Sequence, residues 1–496
     1  MNGERITRRN FLKASAAAAL AGARPAWALS AAAGSDVRLA VVGLGGIDIP
    51  GSVGGRGRQL LKSLLSLRGV RIVALCDVDR AVLEPSVREW EGRGEKIAAH
   101  TDFRRLLDDK NMDAVVLATP NHWHALQTIW ACQAGKDVYV EKPFSYNIWE
   151  GRQMVAAARK YQRVVQVGTQ RRSSRALLEA FAYLRSGQLG RIRCAYALVY
   201  RPRTGIGKVS APTPVPPTVD YDLWCGPAPK TPLMRRELHY EWHWFWATGN
   251  GEIGNNGVHL IDICRWALGQ TAPPPRAISV GGRFAFDDAG ETPNVQIAYF
   301  DYQPAPILCE IRNVQADKTR PIGKFRNADR GIVIVCEGGH WAGDYTGGSV
   351  FDTQGRKIKD FPETHKAREI ECSHLANFLD AVRSRKTDSL VAEAHDGHVS
   401  TMCCHMANIS QRLGQQAVPG AIRESIKTNA TLADAFERCC EYAREQGMDL
   451  EVSPAILGPW VTLDLAQERF VGDFSEAANR LCRREDRAPF VVPALA

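Results

Sequence analysis

The sequence predicts an α/β protein that begins with a doubly wound parallel sheet, and two observations carry this prediction. Short, mainly apolar runs such as Val37–Val42 and Val70–Cys76 alternate with longer stretches of helical periodicity. This alternation is typical of repeated βαβ units, whose strands are buried on both faces. Each run also ends in a polar cluster, and such sheets bind ligands at the carboxyl ends of their strands.

The first strand leads directly into a glycine turn, which is followed by a helical pattern from Gln59 to Ser66. Glycines at this point allow the backbone to turn tightly and to approach a pyrophosphate at a helix N-terminus. Residues 47–55 are interpreted as an insertion in the turn. On the glycines alone, a structural loop and a cofactor loop are equally compatible with the pattern. The candidate residues of this segment are Gly43, Gly45, Gly46 and Arg56.

The second strand ends at Asp77, the position where a Rossmann domain keeps an acid for the hydroxyl groups of the adenosine ribose. An acid here repels the 2′-phosphate of NADP, so NAD is the favoured cofactor. Arg80 lies nearby and keeps NADP open as the less favoured alternative.

Further polar clusters follow the later strands of the first domain, which is predicted to be a Rossmann domain comprising residues 36–167. The strand at 113–119 runs into Pro-Asn-His-Trp-His, the strand at 137–141 into Lys-Pro, and the strand at 163–167 is followed by Gln-Arg. Because these ends meet at one edge of the sheet, we expect their side chains to bind the cofactor. The predicted cofactor residues are Thr119, Asn121, His124, Glu141, Lys142 and Gln170.

Two motifs resemble the Gfo/Idh/MocA oxidoreductase family. One is Glu141-Lys142-Pro143, which follows a Thr-Pro-Asn-x-x-His turn, and the other is Gly-Asn-Asn-Gly-Val-His-Leu-Ile-Asp at 254–262. The resemblance runs from about Val37 to the end of the chain. It implies a second domain, residues 168–496, of α+β type with an open, mainly antiparallel sheet beside the nicotinamide. By analogy it also implies a homo-oligomer.

The chemistry of hydride removal from a secondary alcohol assigns roles to three residues. Lys142 supplies positive charge for the developing alkoxide, and His259 supplies a base with a near-neutral pKa. Asp262 lies three residues after His259, so a helix would place both on one face. The alternatives are a surface lysine at a strand end and a histidine with no role beyond the start of a helix.

Aromatic residues at 239–246 precede the second motif and suit the C–H faces of a sugar. A hydrophobic core at the domain seam explains them equally well. The candidate substrate residues are Arg171, Trp242, His243 and Asn256. A proline-rich segment at 211–217 is predicted to cover the site. Residues from about 417 are predicted to be helical and to end in a strand at 489–493, in a tail that packs back on the body.

Composition excludes several other classes. The net charge of +9 comes from scattered Lys and Arg, and no nucleic-acid motif accompanies it. Thirteen cysteines without a Cys-x-x-Cys pair argue against a disulfide framework, although one or two bonds stay open. The spacing of His122 and His124, and that of His239 and His243, would suit zinc. Neither has a Cys pair or an HExxH helix beside it, so no metal is predicted.

Residues 1–33 are predicted to be an export signal. Residues 7–13 read Thr-Arg-Arg-Asn-Phe-Leu-Lys, an apolar stretch follows, and Ala26-Trp27-Ala28 offers a cleavage site. The paired arginines resemble the twin-arginine signal, which implies the twin-arginine machinery as a partner and a periplasmic destination. An amphipathic first helix is the alternative. After the leader, no apolar run reaches the ~18–20 residues that span a bilayer.

The expected function is therefore NAD-dependent redox chemistry at a carbinol of a sugar, cyclitol or glycoside. Because free NAD is scarce outside the cytoplasm, we expect a tightly held cofactor that is regenerated on the protein. One alternative is a glycoside-cleaving enzyme that oxidises its substrate transiently. Another is an inactive carbohydrate-binding protein, against which the presence of both Lys142 and His259 argues.

Overall fold

The computed structural model describes residues 36–45 and 55–495. The predicted export signal, Gly46 and nearly all of the predicted insertion lie outside the described residues. Two sheets and the helices packed on them account for the described chain, and the main cavity lies where the two sheets' domains meet.

The first sheet is parallel throughout, as predicted. Its strands are β1 (Val37–Val42), β2 (Val70–Cys76), β3 (Ala98–His100), β4 (Ala114–Leu117), β5 (Asp137–Val140) and β6 (Val165–Val167). In the described chain they follow the order β3-β2-β1-β4-β5-β6, so the chain reverses direction across the sheet between β1 and β4. The helices of this region are α1 (Arg56–Leu64), α2 (Arg80–Glu91), α3 (Phe103–Leu107), α4 (Asn121–Gln133) and α5 (Ile148–Lys160).

The second sheet is open and mainly antiparallel, which confirms the expected fold class. Its longer strands are β7 (Ile192–Tyr200), β8 (Arg276–Gly282), β9 (Val295–Phe300), β10 (Ile307–Arg312), β11 (Gly331–Cys336), β12 (Gly339–Asp344), β13 (Gly347–Asp352) and β14 (Lys357–Pro362). Short strands extend it, namely β15 (Gln415–Ala417), β16 (Ala455–Leu457), β17 (Val461–Asp464) and β18 (Arg469–Val471). The pairing of β7 with β10 is parallel.

Helices cover both faces of this sheet, so alternate residues of β7 enter different cores. Ala195 and Ala197 pack with helices on one face, and Tyr196 and Leu198 pack with helices on the other. The helices of the second domain are α6 (Arg175–Arg185), α7 (Tyr221–Cys225), α8 (Val258–Leu268), α9 (Ala367–Ser384), α10 (Ala394–Leu413), α11 (Pro419–Ile426), α12 (Ala430–Glu445) and α13 (Ser475–Leu481).

Helix α9 packs on the first sheet although it comes late in the chain. Its Leu375 and Phe378 are fully buried in one core cluster with Leu39 and Val41 of β1. The Arg383 guanidinium donates to the Gly69 carbonyl at 2.7 Å, next to the start of β2. The first core is therefore completed by a helix that the sequence assigned to the second domain.

The C-terminal region differs from its predicted helical content. Strands β16, β17 and β18 lie within it, and they add to the edge of the second sheet beside β8. The last residues, predicted as a strand at 489–493, form no strand. These residues pack on the first domain through their side chains, since Phe490 and Val492 are buried in the same core as residues of α4.

Two further features concern the helices and the cysteines of the described chain. None of the helices that the structure describes is both long enough and apolar enough to cross a membrane. All thirteen cysteines lie in described segments as free thiols, eleven of them buried. The cysteines therefore act as small apolar residues of the cores.

Substitutions at Phe490 and Val491 test how much the C-terminal residues stabilise the first domain. Phe490 is 2% exposed and meets the Trp123 ring edge-on at 5.4 Å, whereas its neighbour Val491 is 49% exposed. Phe490→Ala should lower the free energy of unfolding by about 3–5 kcal/mol, because it leaves a cavity in a packed core. Val491→Ala, the matched control, should change it by less than about 0.5 kcal/mol. Equal effects in chemical denaturation would contradict the docking of the tail.

Candidate active site

The glycine turn after β1 is too closely packed for side chains. Gly43 and Gly45 have φ angles of +79° and +89°, which favour glycine. A Cβ at Gly43 would lie 2.8 Å from the backbone of Ala118, and one at Gly57 would lie 2.0 Å from the Gly43 carbonyl oxygen. The turn is thus wedged between the end of β4 and the start of α1.

Asp77 holds this turn in place. Its carboxylate accepts hydrogen bonds from the backbone N–H groups of Leu44 at 2.7 Å, Gly45 at 3.4 Å and Asp79 at 3.0 Å. Burial raises the pKa of Asp77, while these N–H groups favour its ionised form. The acid predicted to face a ribose therefore also positions the glycines.

One cavity of about 600 Å³ collects most of the predicted site residues from both domains. The predicted residues that line it are Gly43, Gly45, Arg56, Asp77, Thr119, Asn121, Glu141, Lys142, Gln170, Trp242, His243, Asn256 and His259. His124, Arg171 and Asp262 do not line it, and Gly46 lies outside the described residues. The strand-end clusters and the second motif thus meet at one place.

Lys142 reaches across the cavity from the end of β5 to the second domain. Its Nζ donates to the Asn255 backbone carbonyl at 2.8 Å and to Asn255 Oδ1 at 3.2 Å. Burial lowers the pKa of Lys142 to about 8, partly offset by the nearby Glu141 carboxylate. This ammonium group therefore titrates near physiological pH.

His259 enters the cavity from the first turn of α8, directly after a π-helical turn at Ile253–Gly257. Such turns are frequent at functional sites, since they redirect side chains. His259 Nδ1 is buried and has no hydrogen-bond partner among the described residues. Burial, and then the charges of Arg171 and Lys142, hold the pKa of His259 well below its ordinary value. The imidazole is thus neutral at pH 7, but its pKa is not the near-neutral one predicted from the sequence, because burial and the neighbouring cations disfavour its charged form.

His243 also lines the cavity and has an unpaired ring nitrogen. Its Nδ1 lies 2.8 Å from the Tyr240 carbonyl oxygen, to which it must donate. Its buried Nε2 has no partner in the described chain and is left as an acceptor. Burial lowers the pKa of His243 to about 4, so this acceptor is kept at neutral pH.

Asp262 does not act beside His259 as predicted. Its two oxygens accept hydrogen bonds from Arg172 Nε and Nη2, both at 2.8 Å, and Ser400 Oγ donates at 2.6 Å. A buried carboxylate binds a guanidinium most strongly, because the two planar groups match in charge and geometry. His259 and Asp262 do lie in one helix, as predicted, but the Asp262 side chain does not line the cavity.

His124 is likewise not a cofactor residue. Its Nδ1 lies 2.7 Å from the Pro143 carbonyl oxygen, and its Nε2 lies 2.8 Å from that of Thr119. His122 similarly faces the carbonyl oxygens of Trp224 and Thr248. Both rings tie loops together, and in the described chain no three His, Cys, Asp or Glu side chains are grouped to hold a metal.

The sequence missed several cavity residues of the second domain. They are Arg201, Arg203, His239, Tyr240, Asn255 and Tyr345. Arg201 and Arg203 directly follow β7, so the strand-end argument used for the first sheet would have found them. Tyr345 lies in the turn between β12 and β13, where no sequence signal marks it. Arg203 donates to both oxygens of Glu252 at 2.9 Å, which neutralises its charge.

Two models of one protein family match the chain. The first, described as oxidoreductase family, NAD-binding Rossmann fold, matches residues 37–169. The second, described as oxidoreductase family, C-terminal alpha/beta domain, matches residues 203–434. Together the matched stretches cover more than half of the chain and include both motifs.

Curated and solved proteins give shorter or more distant matches. A glycosyl hydrolase family 109 protein from Shewanella baltica is 34% identical over 175 residues, which cover 32% of this chain and only 38% of that relative. The WlbA dehydrogenase from Bordetella pertussis, solved with NADH and UDP-GlcNAcA, is 18% identical with a TM-score of 0.52, over 74% of this chain and 93% of its own. The aldose-aldose oxidoreductase from Caulobacter crescentus, solved with glycerol, is 17% identical with a TM-score of 0.53, over 75% and 97%. These structures share the fold.

The corrected role of Asp262 leads to a stability test. Arg172→Met removes the guanidinium from a buried carboxylate and should lower the free energy of unfolding by about 3–5 kcal/mol. Arg175→Met, at an exposed arginine at the start of α6, is the control and should have an effect below about 0.5 kcal/mol. Urea denaturation of both variants measures the difference. A minor effect of Arg172→Met would show that the pair is not needed for the fold.

Proposed function

Because the chain belongs to the Gfo/Idh/MocA oxidoreductase family, we propose that it transfers a hydride between a carbinol carbon of a carbohydrate and NAD. The observation that carries the proposal is the meeting of Lys142 and His259 in one cavity with the glycine turn. Their ionisation states at neutral pH, one cationic and one neutral, are those that oxidation of an alcohol requires.

The cavity suits a dinucleotide. Because Gly43 and Gly45 have no side chains, a pyrophosphate can approach the backbone of this turn closely. Asp77 at the end of β2 favours NAD over NADP. Gln170 and His243 add polar side chains to the lining of the cavity. When bound, NAD supplies the hydride acceptor.

The residues of the chain handle the proton and the charge on oxygen. Neutral His259, which lines the cavity, accepts the hydroxyl proton on its ring, a step of a kind worth ~10²–10⁴-fold in rate. The Lys142 ammonium stabilises the negative charge that develops on the same oxygen. Asn255 holds Lys142 in position from the second domain.

A segment of the second domain covers the first domain beside Asp77, in support of a firmly held cofactor. Backbone hydrogen bonds join Arg80 N–H to the Thr218 carbonyl at 3.0 Å and Asp220 N–H to the Val78 carbonyl at 3.1 Å. His239 Nε2 lies 2.8 Å from Asp79 Oδ2 and lines the cavity. This cover includes the end of the proline-rich segment.

A retained cofactor fits the proposed destination of the protein. The twin-arginine motif in residues 7–13 leads us to propose export of the folded chain to the periplasm. NAD carried across in this way must be regenerated on the protein, so each oxidation has to be paired with a reduction. A reaction cycle without net redox change is therefore the form of activity that we propose.

The second candidate is cleavage of a glycoside by such a cycle. Oxidation of a ring carbinol acidifies the neighbouring C–H, after which the glycosidic bond is eliminated, water adds and the carbonyl is reduced again. The similarity to proteins named glycosyl hydrolase family 109 favours this candidate. Oxidation of one sugar coupled to reduction of another is the alternative cycle.

The retained cofactor is tested on purified protein. Native mass spectrometry after desalting should show one NAD or NADH per chain, and a panel of glycosides and aldoses should be turned over without added cofactor. His239→Gln should accelerate loss of bound NADH fluorescence, because it weakens the cover. His365→Gln, which alters a histidine paired with Glu363, is the control. A need for stoichiometric free NAD would contradict the proposal.

The pH dependence tests Lys142. Its pKa of about 8 means that the ammonium form is present below pH 8 and is lost above it. We therefore expect kcat/KM to fall as pH rises through about 8. Lys142→Arg should lower the rate and remove this fall, since arginine stays charged. Lys142→Met should lower turnover ~10²-fold or more with NADH still bound. An unchanged alkaline limb in Lys142→Arg would refute the role.

A further inference from the structure

Two arginines near the catalytic groups have no counter-ion among the described residues. The Arg201 side chain is exposed and lines the cavity directly after β7. The Arg171 guanidinium lies over the ring of Tyr345, 4.6 Å from its centroid, and Tyr345 lines the cavity. Among the described residues, neither guanidinium has a hydrogen-bond or ion-pair partner. Arg203, by contrast, is neutralised by Glu252.

The charges around Arg171 leave an excess of positive charge. Burial lowers the pKa of Arg171, and the neighbouring charges of Arg201 and Arg330 lower it further. Asp344 is the carboxylate that acts in the opposite direction. It forms no ion pair in the described chain, and it accepts hydrogen bonds from the backbone and hydroxyl of Thr346 instead. An anion bound near Arg171 and Arg201 would reduce the repulsion between these positive charges.

The same cavity offers partners for hydroxyl groups and for apolar C–H faces. The polar side chains of Gln170, His243 and His259 line it. The rings of Trp242 and Tyr345 line the same space. A ligand that satisfies all of these groups carries several hydroxyls, a flat apolar face and one negative charge.

We propose that the substrate is an acidic sugar, a uronic acid or a glycoside of one, whose carboxylate is bound by Arg201, while Arg171, which lies against the Tyr345 ring and does not line the cavity, adds positive charge. This proposal rests on the proposed function and names its substrate class. A carboxylate matches the planar fork of a guanidinium with two parallel hydrogen bonds. A neutral sugar would leave Arg201 without an anion in the cavity that Lys142 and His259 also line.

The test compares matched sugars on the protein as purified, with its dinucleotide. Isothermal titration with D-glucuronate and D-galacturonate is set against D-glucose and D-galactose at low ionic strength. At least one acid should bind about tenfold or more tighter than its neutral counterpart, as expected for charged hydrogen bonds. The difference should shrink in high salt, because partly exposed charges are screened.

Variants assign the effect to the arginines. Arg201→Gln should remove the preference for the acid, and Arg201→Lys should keep part of it. Arg191→Gln, at an exposed arginine paired with Glu337, should leave it unchanged. Equal binding of acid and neutral sugars, or an intact preference in Arg201→Gln, would overturn the proposal. Tighter binding of glucose 6-sulfate than of either uronate would overturn the assignment of a carboxylate.

Dinucleotide content, as NAD and NADH together, is measured on the same samples by native mass spectrometry. Its absence from the wild-type protein would contradict the proposed function, while the sugar comparison would still decide the acidic-sugar proposal. Its presence together with no discrimination between the sugars would overturn the acidic-sugar proposal alone.

Discussion

The position of Arg56 between two buried carboxylates is the interaction on which the site depends. Its Nε donates to Glu141 Oε1 at 2.8 Å, and its Nη1 contacts Glu371. Ser63 Oγ also donates to Glu371 at 2.5 Å. One guanidinium thereby joins the start of α1, the end of β5 and helix α9. Both acids raise the pKa of Arg56 against the effect of burial, so the cation persists.

Much of the cavity follows from that arrangement. Glu141 is followed directly by Lys142, and a Cβ at Gly168 would lie 2.7 Å from Glu141 Oε1, so the strand ends are fitted closely. Glu141 partly offsets the burial of Lys142, whereas the charge of Arg56 acts in the opposite direction. The low pKa of Lys142 and that of His259 have the same origin, which is the burial of both groups close to other cations.

The sequence was sufficient for the parts governed by local pattern. Strands β1 and β2 have the predicted bounds, and the clusters that end β2, β4 and β5 meet as expected. Helix α4 begins at Asn121, so the turn predicted to contain His124 is the first turn of a helix. Strand β3 has three residues, too few to show a periodicity.

Features set by distant partners were beyond the sequence. Spacing placed Asp262 near His259 but did not reveal Arg172, ninety residues earlier in the chain, which binds it. Nor did it reveal that His124 would be occupied by two carbonyl oxygens or that Arg201 would enter the cavity. A side chain's partner is decided by burial and charge in the folded state, and periodicity carries no information about it.

Helix α9 and the C-terminal tail have a consequence for how the molecule is made. The core of the first domain includes Phe378 and Phe490, residues that leave the ribosome long after the strands they cover. During synthesis the early strands must wait with apolar surface uncovered, a state in which chains of this size are prone to aggregate. Folding of the first domain can therefore be completed only after Phe490 has been synthesised.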